Sequence, residues 1–122
     1  YPLLALDIVS TIVRRKLVFQ TLTLPEDEIV SAPQNLGFDE REAMLEAGWP
    51  RMAFVERRLA GDPTNWWVPN RALVDAVLRS AGLEITARPG TELYVCRPDA
   101  ARTPEDRYFD DAQFRAACGK RR

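Results

Sequence analysis

Chemistry in this chain must proceed without histidine. None of the 122 residues is one, so the side chain best suited to general acid–base work near neutral pH, and the commonest metal ligand, are both missing. The two cysteines, Cys96 and Cys118, have neither zinc spacing nor a disulfide framework. Zinc chemistry and Ser-His catalysis are therefore not expected, and no metal is. What remains suits holding a ligand more than attacking one: Gln20 and Thr21 closing an apolar run, Asp62, Thr64 and Asn65 ahead of the pair Trp66-Trp67, and Asn70 just beyond. Each has a structural alternative. Gln20 and Thr21 equally serve to satisfy loop backbone groups. Asp62-Pro63 and Asn65 are ordinary turn formers, and for Asp62 the turn is the favoured reading. Adjacent aromatics at a helix entry staple a loop to the core, the favoured role for at least one tryptophan, and the other is left to line a pocket.

The elements that position these residues follow from spacing. Asn70 can accept from the bare N–H groups of a first helical turn. Leu73, Val74, Val77, Leu78 and Ala81 then form one core-facing stripe, with Arg71, Asp75 and Arg79 toward water. This predicts an aromatic loop, a helix over Arg71–Ala81 and a left-handed cap at Gly82. Leu83, Ile85 and Ala87 alternate with Glu84, Thr86 and Arg88, and Leu93 and Val95 with Glu92, Tyr94 and Cys96. That is the period-two pattern of paired strands, Leu83–Arg88 and Glu92–Arg97, joined at Pro89-Gly90.

Upstream, Leu3, Leu4, Leu6, Ile8, Val9, Ile12 and Val13 recur at helical spacing from Pro2 to the basic end Arg14-Arg15-Lys16, predicting a helix over Pro2–Arg14 laid on a sheet. Leu17–Thr23 reads as a strand covered on both faces. Between residues 24 and 64 prolines keep regular elements short: a loop over Pro25–Phe38, acidic at Glu26-Asp27-Glu28, and a helix capped by Asp39 with Glu42 three residues on, ending before Gly48. Met52-Ala53-Phe54-Val55 reads as a loop or edge strand. After Pro98-Asp99, Thr103-Pro104 signals a short helix carrying Tyr108, Phe109 and Phe114, ahead of a basic end.

Tyr1-Pro2-Leu3-Leu4-Ala5-Leu6, Leu17-Val18-Phe19-Gln20-Thr21-Leu22, Trp66-Trp67-Val68-Pro69-Asn70 and Ser80-Ala81-Gly82-Leu83 with its hairpin, in this order, resemble the carboxy-terminal part of class I S-adenosylmethionine (SAM)-dependent methyltransferases. More narrowly, the chain is similar to methyltransferases related to the tRNA wobble-uridine carboxymethyltransferases. The resemblance implies an α/β fold: the C-terminal half of a Rossmann-like, doubly wound sheet over residues 1–98, with a lid-like insertion at 24–64 and a tail at 99–122. It also implies a substrate-side portion of a SAM-dependent methyltransferase acting on a polar acceptor, a nucleotide, tRNA or small metabolite. Gln20, Thr21, Trp67 and Asn70 are then expected to converge as substrate-binding residues, because ligands in open α/β sheets bind outside the carboxyl ends of strands. The glycines at 37, 48, 61, 82, 90 and 119 form no Gly-x-Gly loop behind an apolar strand. SAM is therefore expected to need a missing amino-terminal half, and the alternative is a non-catalytic α/β interaction module. Loss of that half implies an unpaired apolar edge on the Leu17–Thr23 strand, and self-association through it.

Composition sets the remaining bounds. A chain with 46% hydrophobic residues supports one modest core. Its 17 basic against 18 acidic side chains, net −1, give no global field for nucleic acid, so any RNA contact must be local. No apolar run approaches the roughly 18 residues of a membrane span, and a reducing cytoplasm is the expected setting.

Overall fold

The computed structural model describes residues 2–33, 35–64, 66–101, 112, 115, 116 and 119. In order come α1 (Pro2–Ile12), β1 (Leu17–Gln20), a 3-10 helix (Phe38–Leu45), β2 (Met52–Phe54), β3 (Trp67–Pro69), α2 (Arg71–Ser80), β4 (Leu83–Gly90) and β5 (Leu93–Pro98). This is a mixed α/β chain. Asn65, Cys118, the start of the helix expected after Thr103 with its Tyr108, Phe109 and Phe114, and the basic end Lys120-Arg121-Arg122 lie outside the described residues, while the described residues 112, 115 and 116 are helical. By proximity of Cα atoms there are two compact units. One takes in the described residues of Tyr1–Phe19, Val77–Pro89 and Tyr94–Arg122, and the other those of Gln20–Ala76 and Gly90–Leu93.

The first unit is built on a three-stranded sheet in the order β1-β5-β4. The hairpin's second arm therefore lies beside the Leu17 strand, as expected. Its turn, however, falls at Thr91 and Glu92, and Pro89 and Gly90 belong to β4. Gly90 takes no positive φ, and proline is tolerated because β4 is an edge strand with no second ladder to feed. The buried face of β5 is also the opposite of the expected one. Tyr94 and Cys96 are sealed while Leu93 and Val95 are half-buried, since a middle strand has no solvent face for its apolar set to avoid. Tyr94 packs beside Phe19, ring centroids 6.3 Å apart, and the Arg88 guanidinium lies 5.9 Å from its ring centre.

Leu78, Ala81 and Leu83 complete this core, each buried leucine worth about 1.5–3 kcal/mol. Of the apolar set in α1 only Leu6 is fully buried, next to a buried Asp7, and Ile12 is exposed. The helix ends there, short of the predicted Arg14. β1 is likewise shorter than Leu17–Thr23 and is an edge strand, with Val18 61% exposed where both faces were expected to be covered. Gly82 closes α2 at φ 75°, as its position predicts. The Arg97 guanidinium and the Glu84 carboxylate pair at 2.8 Å.

In the second unit β2 and β3 pair antiparallel, Met52 opposite Pro69, Ala53 opposite Val68 and Phe54 opposite Trp67. The segment expected as a loop or edge strand and the expected aromatic loop are thus two short strands. Val68 is buried on one face, which is what fixes the register. Beyond the ladder the chain turns tightly at Ala60-Gly61, with φ 51° and 84°, as Leu59 and Asp62 exchange both backbone hydrogen bonds at 3.1 and 2.9 Å. The helix expected after Asp39 and ending before Gly48 is instead a 3-10 helix that buries no residue. Its cap lies two residues earlier than expected: the Gly37 N–H donates to the Glu40 carboxylate at 2.9 Å. With no apolar face to pack, nothing stabilises the longer α-helical form.

Candidate site at the entry of the second helix

Asn70 is fully buried, and every hydrogen-bonding position of its amide is used. Oδ1 accepts the N–H of Leu73 at 2.9 Å, the predicted first-turn cap, and also the N–H of Arg51 at 3.0 Å. Nδ2 donates to Trp49 O at 2.7 Å and to the Glu26 carboxylate at 2.9 Å. One side chain therefore ties α2 to two loops that lie 21 and 44 residues away in sequence.

Glu26 carries the second half of this network. Its Oε1 accepts from the Gly48 N–H at 3.0 Å and from the Arg51 guanidinium at 2.8 Å. The Asn70 amide foremost and then the Gly48 N–H hold the carboxyl below the usual range; burial opposes them, and Arg51 adds a smaller lowering. Gly48 is required where it stands: its φ is 77°, and a Cβ would meet the Glu28 carbonyl carbon at 2.9 Å. Asp27 pairs with Arg71 at 3.2 Å, while Arg71 Nε is buried without a hydrogen-bond partner. Asp75, expected to face water, is 4% exposed. Together with Ala72, also buried, it shows that α2 packs along a second stripe at three-residue spacing.

Three backbone N–H groups bring the exit of β1 to the entry of α2. The N–H of Thr21 donates to Glu92 O at 3.2 Å, that of Thr23 to the Glu92 carboxylate at 3.1 Å, and that of Leu24 to Pro69 O at 2.8 Å. The first of them sets the end of β1 against the start of β5, an antiparallel relation.

The four residues singled out from sequence fare differently. Gln20 is exposed at the end of β1. Thr21 is half-buried, and its hydroxyl turns to the neighbouring Leu22 O at 3.3 Å. Trp67 is 54% exposed and lies against Phe54, centroids 4.5 Å apart. Asn70 is a positioning residue, because its amide has no capacity left for a ligand. Neither tryptophan staples a loop to the core: Trp66 is 50% exposed and donates its Nε1–H to Pro63 O at 2.6 Å. Asp62 is a turn residue, its carboxylate accepting from both the hydroxyl and the N–H of Thr64 at 2.7 and 2.8 Å, contacts that lower its pKa in that order.

Glu26, Gly48, Arg51 and Phe54 were not singled out by sequence. The partners of Glu26 lie 22 to 44 residues downstream, so no local pattern could have marked it. Phe54 had one available signal, an apolar residue two positions after Met52, both on the face opposite Ala53. Among the described residues no group of three or more His, Cys, Asp or Glu is placed to hold a metal ion, and no helix is long and apolar enough to cross a membrane. Comparison with protein-family models, curated proteins and solved structures finds no match for this chain.

Proposed function

We propose that this chain is the substrate-side portion of a SAM-dependent methyltransferase acting on a polar acceptor. The observation that carries the reading is the strand order β1-β5-β4 with β1 antiparallel to β5. The resemblance implies that arrangement, a last strand running antiparallel beside the strand whose carboxyl end opens on the crevice. Support also comes from the bonds that lead from Thr21 through Leu24 to the entry of α2, which bring the exposed end of β1 and the loop before the helix into one unit.

Among the described residues, Gly48, Gly61 and Gly82 are engaged in ways that do not suit SAM. Gly48 packs against Glu28, Gly61 sits in a tight turn and Gly82 caps α2, so none offers the backbone cradle a nucleotide cofactor needs. The role of this chain is instead to hold and orient the acceptor. Asn70 and Glu26 fix the frame, and Gln20, exposed, has a side chain able both to donate to and accept from a polar group. Orientation of this kind contributes a large share of the rate when the reacting group arrives already activated.

Calorimetry tests the reading. Titrating SAM into the polypeptide extended by its encoded upstream residues should release heat with a saturable isotherm, and the 122-residue chain alone should give none. An extended polypeptide without binding would overturn it. The rival reading, a non-catalytic interaction module, is favoured by one feature: Glu26, the central carboxylate, is committed to structural bonds on both oxygens.

A further inference from the structure

The β2–β3 ladder turns its apolar side two ways. Val68 is buried, while the opposed pair on the other face, Phe54 and Trp67, remains 53% and 54% exposed. Leaving two large aromatic rings in water forgoes the burial that normally orders such residues, and exposed apolar groups clustered in this way mark a contact surface. The rings are 4.5 Å apart and tilted by 44°, so the pair is pre-organised by the strand register and does not depend on ligand to assemble.

Charge identifies what the surface fits. From Arg51 to Arg58 there are three arginines against the single Glu56, in a chain whose net charge is −1. Arg51 is spent on Glu26. Arg57 and Arg58 are exposed, and among the described residues neither has a hydrogen bond or ion pair. They follow Phe54 by three and four residues across a bend at Glu56 and Arg57, so they lie within the roughly 10–14 Å that an extended chain would span, and the length of an arginine side chain covers much of that distance. An aromatic surface takes any flat ring, and free guanidinium groups select phosphate.

We propose that the Phe54–Trp67 face is a binding site for a free nucleoside phosphate, its base stacked on the aromatic pair and its phosphate held by Arg57 and Arg58. A single strand of nucleic acid is the poorer fit, because such strands are held by successive stacking surfaces along a basic groove, and among the described residues this face offers one aromatic pair followed by two arginines. The site does not require SAM and stands apart from the methyltransferase reading.

Intrinsic tryptophan fluorescence of the intact chain, titrated with uridine 5′-monophosphate and adenosine 5′-monophosphate, tests it. Saturable quenching is expected with both, and ribose 5-phosphate, which has no base, should bind at least about tenfold more weakly, the worth of one stacked base. Trp67→Ala and, as a milder change, Phe54→Leu should each weaken binding, the former by about tenfold, followed by calorimetry where the fluorophore is lost. Arg57→Gln with Arg58→Gln should abolish the salt dependence of the constant. Circular dichroism reports whether each variant is folded. No saturation at millimolar nucleotide, undiminished binding by folded Phe54→Leu and Trp67→Ala proteins, or a five-nucleotide RNA binding more than about tenfold tighter than the monophosphates would overturn the proposal.

Discussion

Leu83 in the first unit and Asn70 in the second are both sealed from solvent, at 1% and 0% exposure, yet they hold their surroundings by different physics. Leu83 is one of several buried apolar side chains, and dispersion and dehydration have no direction. Asn70 has four partners at fixed angles, and a buried amide that loses a partner leaves a desolvated group behind. A unit of the first kind tolerates chemical exchange among side chains of similar volume. One of the second kind tolerates almost none.

The sharpest way to break that contrast is Asn70→Asp. It replaces two donors by a carboxylate facing Glu26 and the Trp49 carbonyl, and should destabilise the folded chain by about 4 kcal/mol as an uncompensated buried charge, read by urea unfolding at pH 7. Leu83→Ala should cost about 3 kcal/mol, while Leu83→Met should cost under about 1.5 kcal/mol. Equal losses for Leu83→Met and Asn70→Asp would dissolve the distinction.

Acid sharpens the comparison. Glu26 has a folded-state pKa below its ordinary value of 4.5, so its contribution is complete above that value and is lost as pH falls through 4.5 toward the folded pKa. The melting temperature should be flat from pH 8 to 6 and fall as pH drops below 4.5, with a smaller fall in Glu26→Gln. A Leu83→Met protein should keep the full acid response, because that core holds its leucine by packing and not by charge.

The smallest effect concerns the turn at Ala60. A non-glycine residue at φ 51° carries the left-handed penalty, roughly 1 kcal/mol or more, partly offset by the greater unfolded-state entropy of glycine. Ala60→Gly should therefore stabilise by about 0.5 kcal/mol, visible as a small rise in the urea midpoint with unchanged slope.

The same contrast explains what was legible in the sequence. α2, its Asn70 cap, its Gly82 end and the β4–β5 pair were readable because each is written within one turn of helix or one alternation of strand. The order of strands was expected from a resemblance and not from any local pattern, and the burial of Tyr94 over Leu93 was not expected, since a strand with neighbours on both sides has no polar face to declare. The polar network was hidden for another reason. Glu26 looks like any acidic loop residue, and its partners enter from segments beyond the reach of local pattern. The two tryptophans misled because an aromatic pair before a helix usually turns inward, and here the burial of Val68 forces its neighbour Trp67 to the outside.

The two borders of the three-stranded sheet differ in what they offer a newcomer. β4 carries Pro89, which has no N–H to give, one residue before its end, and charged Glu84 and Arg88. β1, at the other border, is Leu-Val-Phe-Gln, with neither proline nor charge. Among the described strands, lateral growth would therefore be favoured from the β1 side, and two chains meeting there would each turn the border with proline and charge outward. A pair of that kind would be a poorer seed for fibres than a sheet with two receptive margins.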